Sequence, residues 1–225
     1  MTGSADPTIT EATARVAVWD APVRFVHWLI ALLIPFSWWT AEQEMMEWHY
    51  RSGLTILGLL VFRLIWGVIG SSTARFASFV RGPRRILDHL RGRREFMLGH
   101  NPLGALSVLA LLAMLVAQVT LGLFAADEDG LESGPLAHLV DADLGEKLTE
   151  LHETGFYILL VLIALHVTAI LFYLLVKRRN LVAPMITGKI AAPPDTAPMR
   201  PAGAVRFLAA ALLAAAFVWW IANGA

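Results

Sequence analysis

No cysteine occurs anywhere in the 225 residues. That excludes disulfides, thiolate metal sites, iron–sulfur clusters and the C-x-x-C-H attachment of a c-type haem. Any metal must be held by histidine or carboxylate, and any haem must be held without a covalent bond. Charge is also scarce. Asp, Glu, Lys and Arg make up 16% of the chain against 57% hydrophobic residues, whereas a soluble domain is about one quarter charged. The formal net charge is zero, which gives nucleic-acid binding no support. Residues 1–18 are polar and lack a hydrophobic core. No cleavable signal peptide is expected there, and the first apolar run should stay in the membrane.

What is abundant is long apolar runs. Five lie near 22–41, 52–70, 103–124, 154–176 and 205–222, each long enough for a hydrocarbon core of about 30 Å, which needs roughly 20 residues. The expected class is an all-α integral membrane protein. The first run opens at Asp20-Ala21-Pro22, a capping residue with proline just inside the helix. It ends in Trp38-Trp39, an aromatic pair suited to a membrane interface. Pro35 is expected to kink it.

Loop charges set an expected orientation. The 71–100 loop carries Arg75, Arg81, Arg84, Arg85, Arg91, Arg93 and Arg94 against Asp88 and Glu95. The 177–206 link is also basic, with Lys177, Arg178, Arg179, Lys189, Arg200 and Arg206. By contrast, 42–51 holds three glutamates and one arginine, and 125–150 holds eight acids and one lysine. Basic loops stay on the cytoplasmic side. The N-terminus is therefore expected inside, and the acidic loops and the C-terminus outside. The expected organisation is a polar tail (1–18), a four-helix domain (19–190), a Pro/Ala-rich linker (191–204) and a fifth, accessory helix (205–225).

Seven histidines occur: His27, His49, His89, His100, His138, His152 and His166. An ionisable residue inside a membrane is costly and by default faces the bundle interior with a partner. His152 and His166 are fourteen residues apart, about 40° short of four full turns and about 21 Å along the axis. They share nearly one face at two depths. His49 opens the second run at the depth expected for His152. His27 lies about 10 Å into the first helix, and His166 about 16 Å from the inner end of the fourth. Two pairs result: His49 with His152 near the outer face, and His27 with His166 near the inner.

A porphyrin suits this geometry, because its iron takes one axial ligand from each side and its ring fills an apolar interior. Gly53, one turn past His49, with Gly155 and Gly58, could let a flat macrocycle approach backbone; ordinary close helix packing explains them equally well. Zinc would need further ligands at each pair, and no acidic residue stands in the spans beside His27 or His166.

The same residues carry a resemblance. "WDAPVRFVHW", "EWHYRSGL", "FRLIWGVIG", "GHNPLGA" and "KRRNLVAPMITG", with the helix beginning "LHETGFYILLVLIALH", occur in order over roughly residues 18–190. This resembles the bacterial di-haem cytochrome b561 family, which includes the b-type cytochrome subunits of nickel–iron hydrogenases. The resemblance implies two b-type haems ligated by His27, His49, His152 and His166. It also implies electron transfer between the quinone pool and a periplasmic partner such as a c-type cytochrome or hydrogenase subunits. The fifth helix departs from the four-helix family core.

Further candidates surround these pairs. Arg63 lies fourteen residues beyond His49, at the depth of the inner pair, and could meet a haem propionate or a backbone carbonyl. Arg24 precedes His27 by three residues, for propionate pairing or for anchoring. His100 begins the third helix, with a propionate, a quinone or a structural partner. Gln118 is an outer-half polar group, suited to interhelical bonding or to a quinone carbonyl. His89 and His138 read as surface residues. Superoxide oxidation at the outer face is a variant within the class, but it needs a cationic funnel where this sequence is acidic. From another class comes a haem-free transporter or proton-relay protein.

Overall fold

The computed structural model describes residues 14–80, 98–126 and 133–224. His89 and most of the arginines of the 71–100 loop lie outside the described residues. Among the described residues, five helices are long and apolar enough to cross a membrane: α1 (Ala21–Glu42), α2 (Met46–Ile69), α4 (Pro102–Phe124), α5 (Ala142–Leu175) and α7 (Ala204–Ala222). Strand β1 (Ala14–Ala17) precedes α1, and the short helices α3 (Phe76–Phe79) and α6 (Val182–Thr187) and strand β2 (Lys189–Ala192) lie between the long helices.

The helix starts follow from local chemistry. Asp20 Oδ1 accepts the Val23 N–H at 2.8 Å with Pro22 in the first turn, and Asn101 Oδ1 accepts Gly104 N–H at 2.7 Å with Pro102 behind it. Helix α1 continues through Pro35 to Glu42. Two expected boundaries move. Helix α2 starts at Met46, so His49 lies inside its first turn instead of ahead of it. Helix α5 starts at Ala142, capped by Asp141, so much of the expected acidic loop is helical. Its 34 residues span about 51 Å at 1.5 Å per residue, well beyond the hydrocarbon thickness.

Helices α1 and α2 pack as one antiparallel pair and α4 and α5 as another, with α2 also against α4. One buried cluster joins Val26 and Ile30 of α1, Leu60 of α2, Leu115 of α4 and Leu159 of α5. Large apolar side chains such as Leu165, Leu212 and Trp219 point outward. On a multi-pass membrane protein that surface belongs to lipid.

The fifth helix is not a detached anchor. It packs along α2, with Ala210 fully buried, Phe207 edge-on to Phe62 and Trp66, and Val218 over Gly58. At its far end Ile221 joins Leu57 and Leu136. Small residues let the two helices approach, which is how helices associate where lipid supplies no hydrophobic drive.

The polar tail and the linker also meet. Strands β1 and β2 pair antiparallel, with Val16 opposite Ile190 and Ala17 opposite Lys189. The Gly188 carbonyl then accepts the N–H of Val18 at 2.8 Å. Gly188 holds φ at +76°, where a Cβ would strike the Trp19 carbonyl, so the turn into β2 needs glycine. This ribbon, α6 and the start of α1 close the end of the bundle carrying the basic segments. Trp38, Trp39 and the acidic segments mark the opposite end.

Candidate functional site

Four helices converge on His49 and His152 at the acidic end. The two ring centroids are 6.1 Å apart and the planes are perpendicular. His49 Nδ1 donates to the Ser37 carbonyl of α1 at 2.8 Å, and His152 Nδ1 donates to the Gln118 carbonyl of α4 at 2.9 Å. A carbonyl oxygen can only accept, so the proton of each neutral ring sits on Nδ1 and the Nε2 lone pair is left to act as a ligand. Gln118 Nε2 also donates to the His152 carbonyl at 2.7 Å. The interhelical role expected of Gln118 is thus present, and it falls directly on a histidine.

These features fit an axial pair. Two imidazoles bonded at about 2 Å to opposite sides of one metal hold their centroids roughly 6 Å apart. Among the described residues no three His, Asp or Glu side chains converge as a metal-ion cluster. The pair would offer two nitrogen ligands to a metal whose remaining ligands a cofactor supplies.

The basic end is arranged differently. His166 Nδ1 lies 3.2 Å from the Ser107 hydroxyl of α4. His27 faces Trp28 edge-on at 5.0 Å, and its Nδ1 is buried with no hydrogen-bond partner among the described residues. A buried ring nitrogen without a partner is costly, and taking a ligand is one way a histidine meets that cost. His27 and His166 do not make the close ring approach seen for the other pair.

His100 packs between Trp19 and Phe79, with centroids 4.5 and 4.6 Å away. Burial first, then the positive fields of Arg63, His166 and His27, push its pKa down to about 3. His100 thus belongs to the neighbourhood of the basic-end pair. Its Nδ1 is buried and unpartnered among the described residues, and Asn101 takes the capping role beside it.

Arg63 is 6% exposed; its Nη1 reaches the Ala74 carbonyl at 3.4 Å and its guanidinium lies 5.1 Å from the Phe76 ring centroid. The backbone carbonyl expected as one of its two partners is Ala74's. Arg24 Nη1 donates to the Ile186 carbonyl at 2.5 Å and so ties α1 to α6. His138 is exposed, as expected of a surface residue.

The glycines divide. A Cβ on Gly53 would meet nothing within 4 Å, so this position, on the His49 face, fronts open space. On Gly155 it would strike Gln118 Oε1 at 2.5 Å, and on Gly58 it would press on Val218 at 3.2 Å. Those two serve helix packing. Gly122 was not foreseen: a Cβ there would lie 2.8 Å from His152 Cε1. The carbonyls of Ser37 and Gln118 carry no signal in the sequence, whereas a serine at 107 in the apolar first half of α4 does.

Comparison with known proteins adds one finding. The family model described as prokaryotic cytochrome b561 matches residues 18–188. No curated protein and no solved structure matches the chain.

Proposed function

Because this chain belongs to the prokaryotic cytochrome b561 family, multi-pass membrane proteins that carry electrons as b-type cytochromes, we propose that it binds two haems and links the quinone pool to a redox partner at its acidic end. The observation that carries the reading is the His49–His152 pair, perpendicular at 6.1 Å with both Nδ1 atoms committed to carbonyls. His27 and His166 are the ligands of the second haem, deeper toward the basic end.

Haem bound by these histidines would supply one-electron redox chemistry. The chain supplies the rest. Ser37 and Gln118 fix the orientation and tautomer of two ligands, and Ser107 supports a third. Helix α5 carries one ligand of each pair on nearly one face, about 21 Å apart along its axis. Arg63 places a buried cation at the basic end, where it favours the more negative, reduced state of a nearby centre. The basic loops are cytoplasmic, so the acidic end faces the periplasm. Its carboxylates favour a basic partner such as a c-type cytochrome; hydrogenase subunits are the other class of partner.

The test is a reduced-minus-oxidised absorption spectrum of the purified protein, with haem counted as the pyridine haemochrome. Bands of b-type haem and a count near two per chain are expected. Absence of the bands rejects the cytochrome reading, and a count near one rejects the second site.

A further inference from the structure

The basic end holds a second kind of site, unrelated to the histidines. A cleft of about 320 Å³ opens between the β1–β2 ribbon and α6, lined by Arg15, Arg179, Asn180, Lys189, Pro184 and Ile190 among others. Its cations are brought together by structure. Arg15 pairs with Ala191 and Ala17 with Lys189 across the ribbon, so Arg15 and Lys189 share one face as diagonal neighbours about 7–8 Å apart. Val16 and Ile190 take the other face, and Val16 is buried. Arg179 arrives from the opposite side: Arg178 adopts φ +54° at the end of α5, and the Arg179 N–H donates back to the Tyr173 carbonyl at 2.9 Å. Asn180 Oδ1 is taken by the N–H groups of Val182 and Ala183 at 3.0 and 2.9 Å, which leaves its amide N–H groups as donors.

Three cations and an amide therefore line one cleft, and among the described residues no carboxylate pairs with Arg15, Arg179 or Lys189. Beside α6 lies a mainly apolar groove of about 430 Å³, walled by Phe25, Trp28, Leu29 and Leu32 of α1 with Met185 and Ile186, and bordered by Arg24. Those α1 positions form one stripe running from the helix start into the span. Polar donors at the level where the spans end, beside an apolar groove descending into them, match the two halves of a phospholipid.

We infer that this cleft binds the phosphate headgroup of an anionic phospholipid in the leaflet at the basic end. The positive charge selects an anionic lipid over a zwitterionic one, and the neighbouring groove selects a lipid over free phosphate. The inference goes beyond electron transfer and does not depend on it.

The test uses the full chain, delipidated in neutral detergent and titrated with phosphatidylglycerol, phosphatidylcholine or inorganic phosphate. Bound lipid is counted by native mass spectrometry, and protection is read as a thermal shift. Phosphatidylglycerol should be retained about tenfold better than phosphatidylcholine, and inorganic phosphate should give no shift. Arg15→Gln with Lys189→Gln should abolish that preference. Arg75→Gln with Arg200→Gln, which removes the same charge from the same end outside the cleft, should change it less than about twofold. Equal losses in both double variants, equal retention of the two lipids, or a phosphate shift matching that of the lipid would each overturn the inference. A helical circular-dichroism spectrum and a monodisperse elution profile equal to those of the unaltered chain show that each variant has folded.

Discussion

His49 and His152, from helices α2 and α5, face each other edge-on with ring centroids 6.1 Å apart, and a carbonyl from a further helix holds Nδ1 of each. The pair is therefore set by α1, α2, α4 and α5, and its two Nε2 atoms are left free to act as ligands.

Replacing one histidine should remove one haem and spare the other. His49→Ala and His152→Ala should each lower the haemochrome count from about two to about one by loss of the same spectral component. His27→Ala and His166→Ala should remove the other component. Loss of the same component from His49→Ala and His166→Ala would contradict the pairing.

The two serines should behave unequally. Ser37 holds His49 chiefly through its carbonyl at 2.8 Å, which Ser37→Ala retains while deleting only the longer 3.2 Å approach of its hydroxyl to the same nitrogen. Ser107 meets His166 through its hydroxyl at 3.2 Å, which Ser107→Ala deletes. Haem affinity at the basic-end site should fall roughly tenfold in Ser107→Ala, with little change in Ser37→Ala. Haem retention during titration with apomyoglobin measures both.

Among the glycines, Gly122→Ala should displace His152, because the new methyl group would lie 2.8 Å from Cε1 and 3.1 Å from Nδ1. The acidic-end haem should be depleted and the other retained. Gly53→Ala meets no atom within 4 Å and should fold normally, whereas Gly53→Leu should fill the space beside His49 and lower haem content. Normal spectra for both Gly122→Ala and Gly53→Leu would show that neither glycine borders the site.

Acid should destabilise the chain through His100. The unfolded chain binds a proton there below about 6.5, but the folded chain does not until about 3. Stability attributable to this residue is therefore lost as pH falls from 6.5 toward 3, by at most about 1.4 kcal/mol per pH unit. His100→Phe should flatten that part of a denaturation-against-pH curve; an unchanged slope would show that His100 carries none of it.

Helix α7 should matter to the fold although it lies beyond the family match. Ala210 is 0% exposed against α2, so Ala210→Leu should cost about 1–3 kcal/mol by overpacking. Leu212→Ala, at a position 69% exposed, should cost far less. Melting temperatures in detergent compare the two, and equal losses would mean that α7 does not depend on this contact.

Much of the molecule was legible in one dimension. Five spans follow from hydropathy because backbone in lipid must bond within its own segment, and the Asp20 and Pro22 start of α1 follows from capping chemistry. The fourteen-residue interval in α5 places His152 and His166 on nearly one face because helical rotation is fixed per residue. The apolar signal places the starts of α2 and α5 too late, because both helices begin in polar sequence outside the hydrocarbon, α2 with the Glu47–Arg51 ion pair across its first turns and α5 with the Asp141 cap.

The sequence by itself determined the number of spans, their charge asymmetry and the four histidines available as ligands. Each of these depends on side-chain chemistry at known spacing. Tertiary structure alone decided that Ser37 and Gln118 lend carbonyls, since every residue owns one and only proximity selects which is used. It also brought Gly122 against His152, laid α7 along α2, and paired residues 14–17 with 189–192, far apart in the chain. Long-range contacts of this kind come from packing shape and chain closure, which no local pattern encodes.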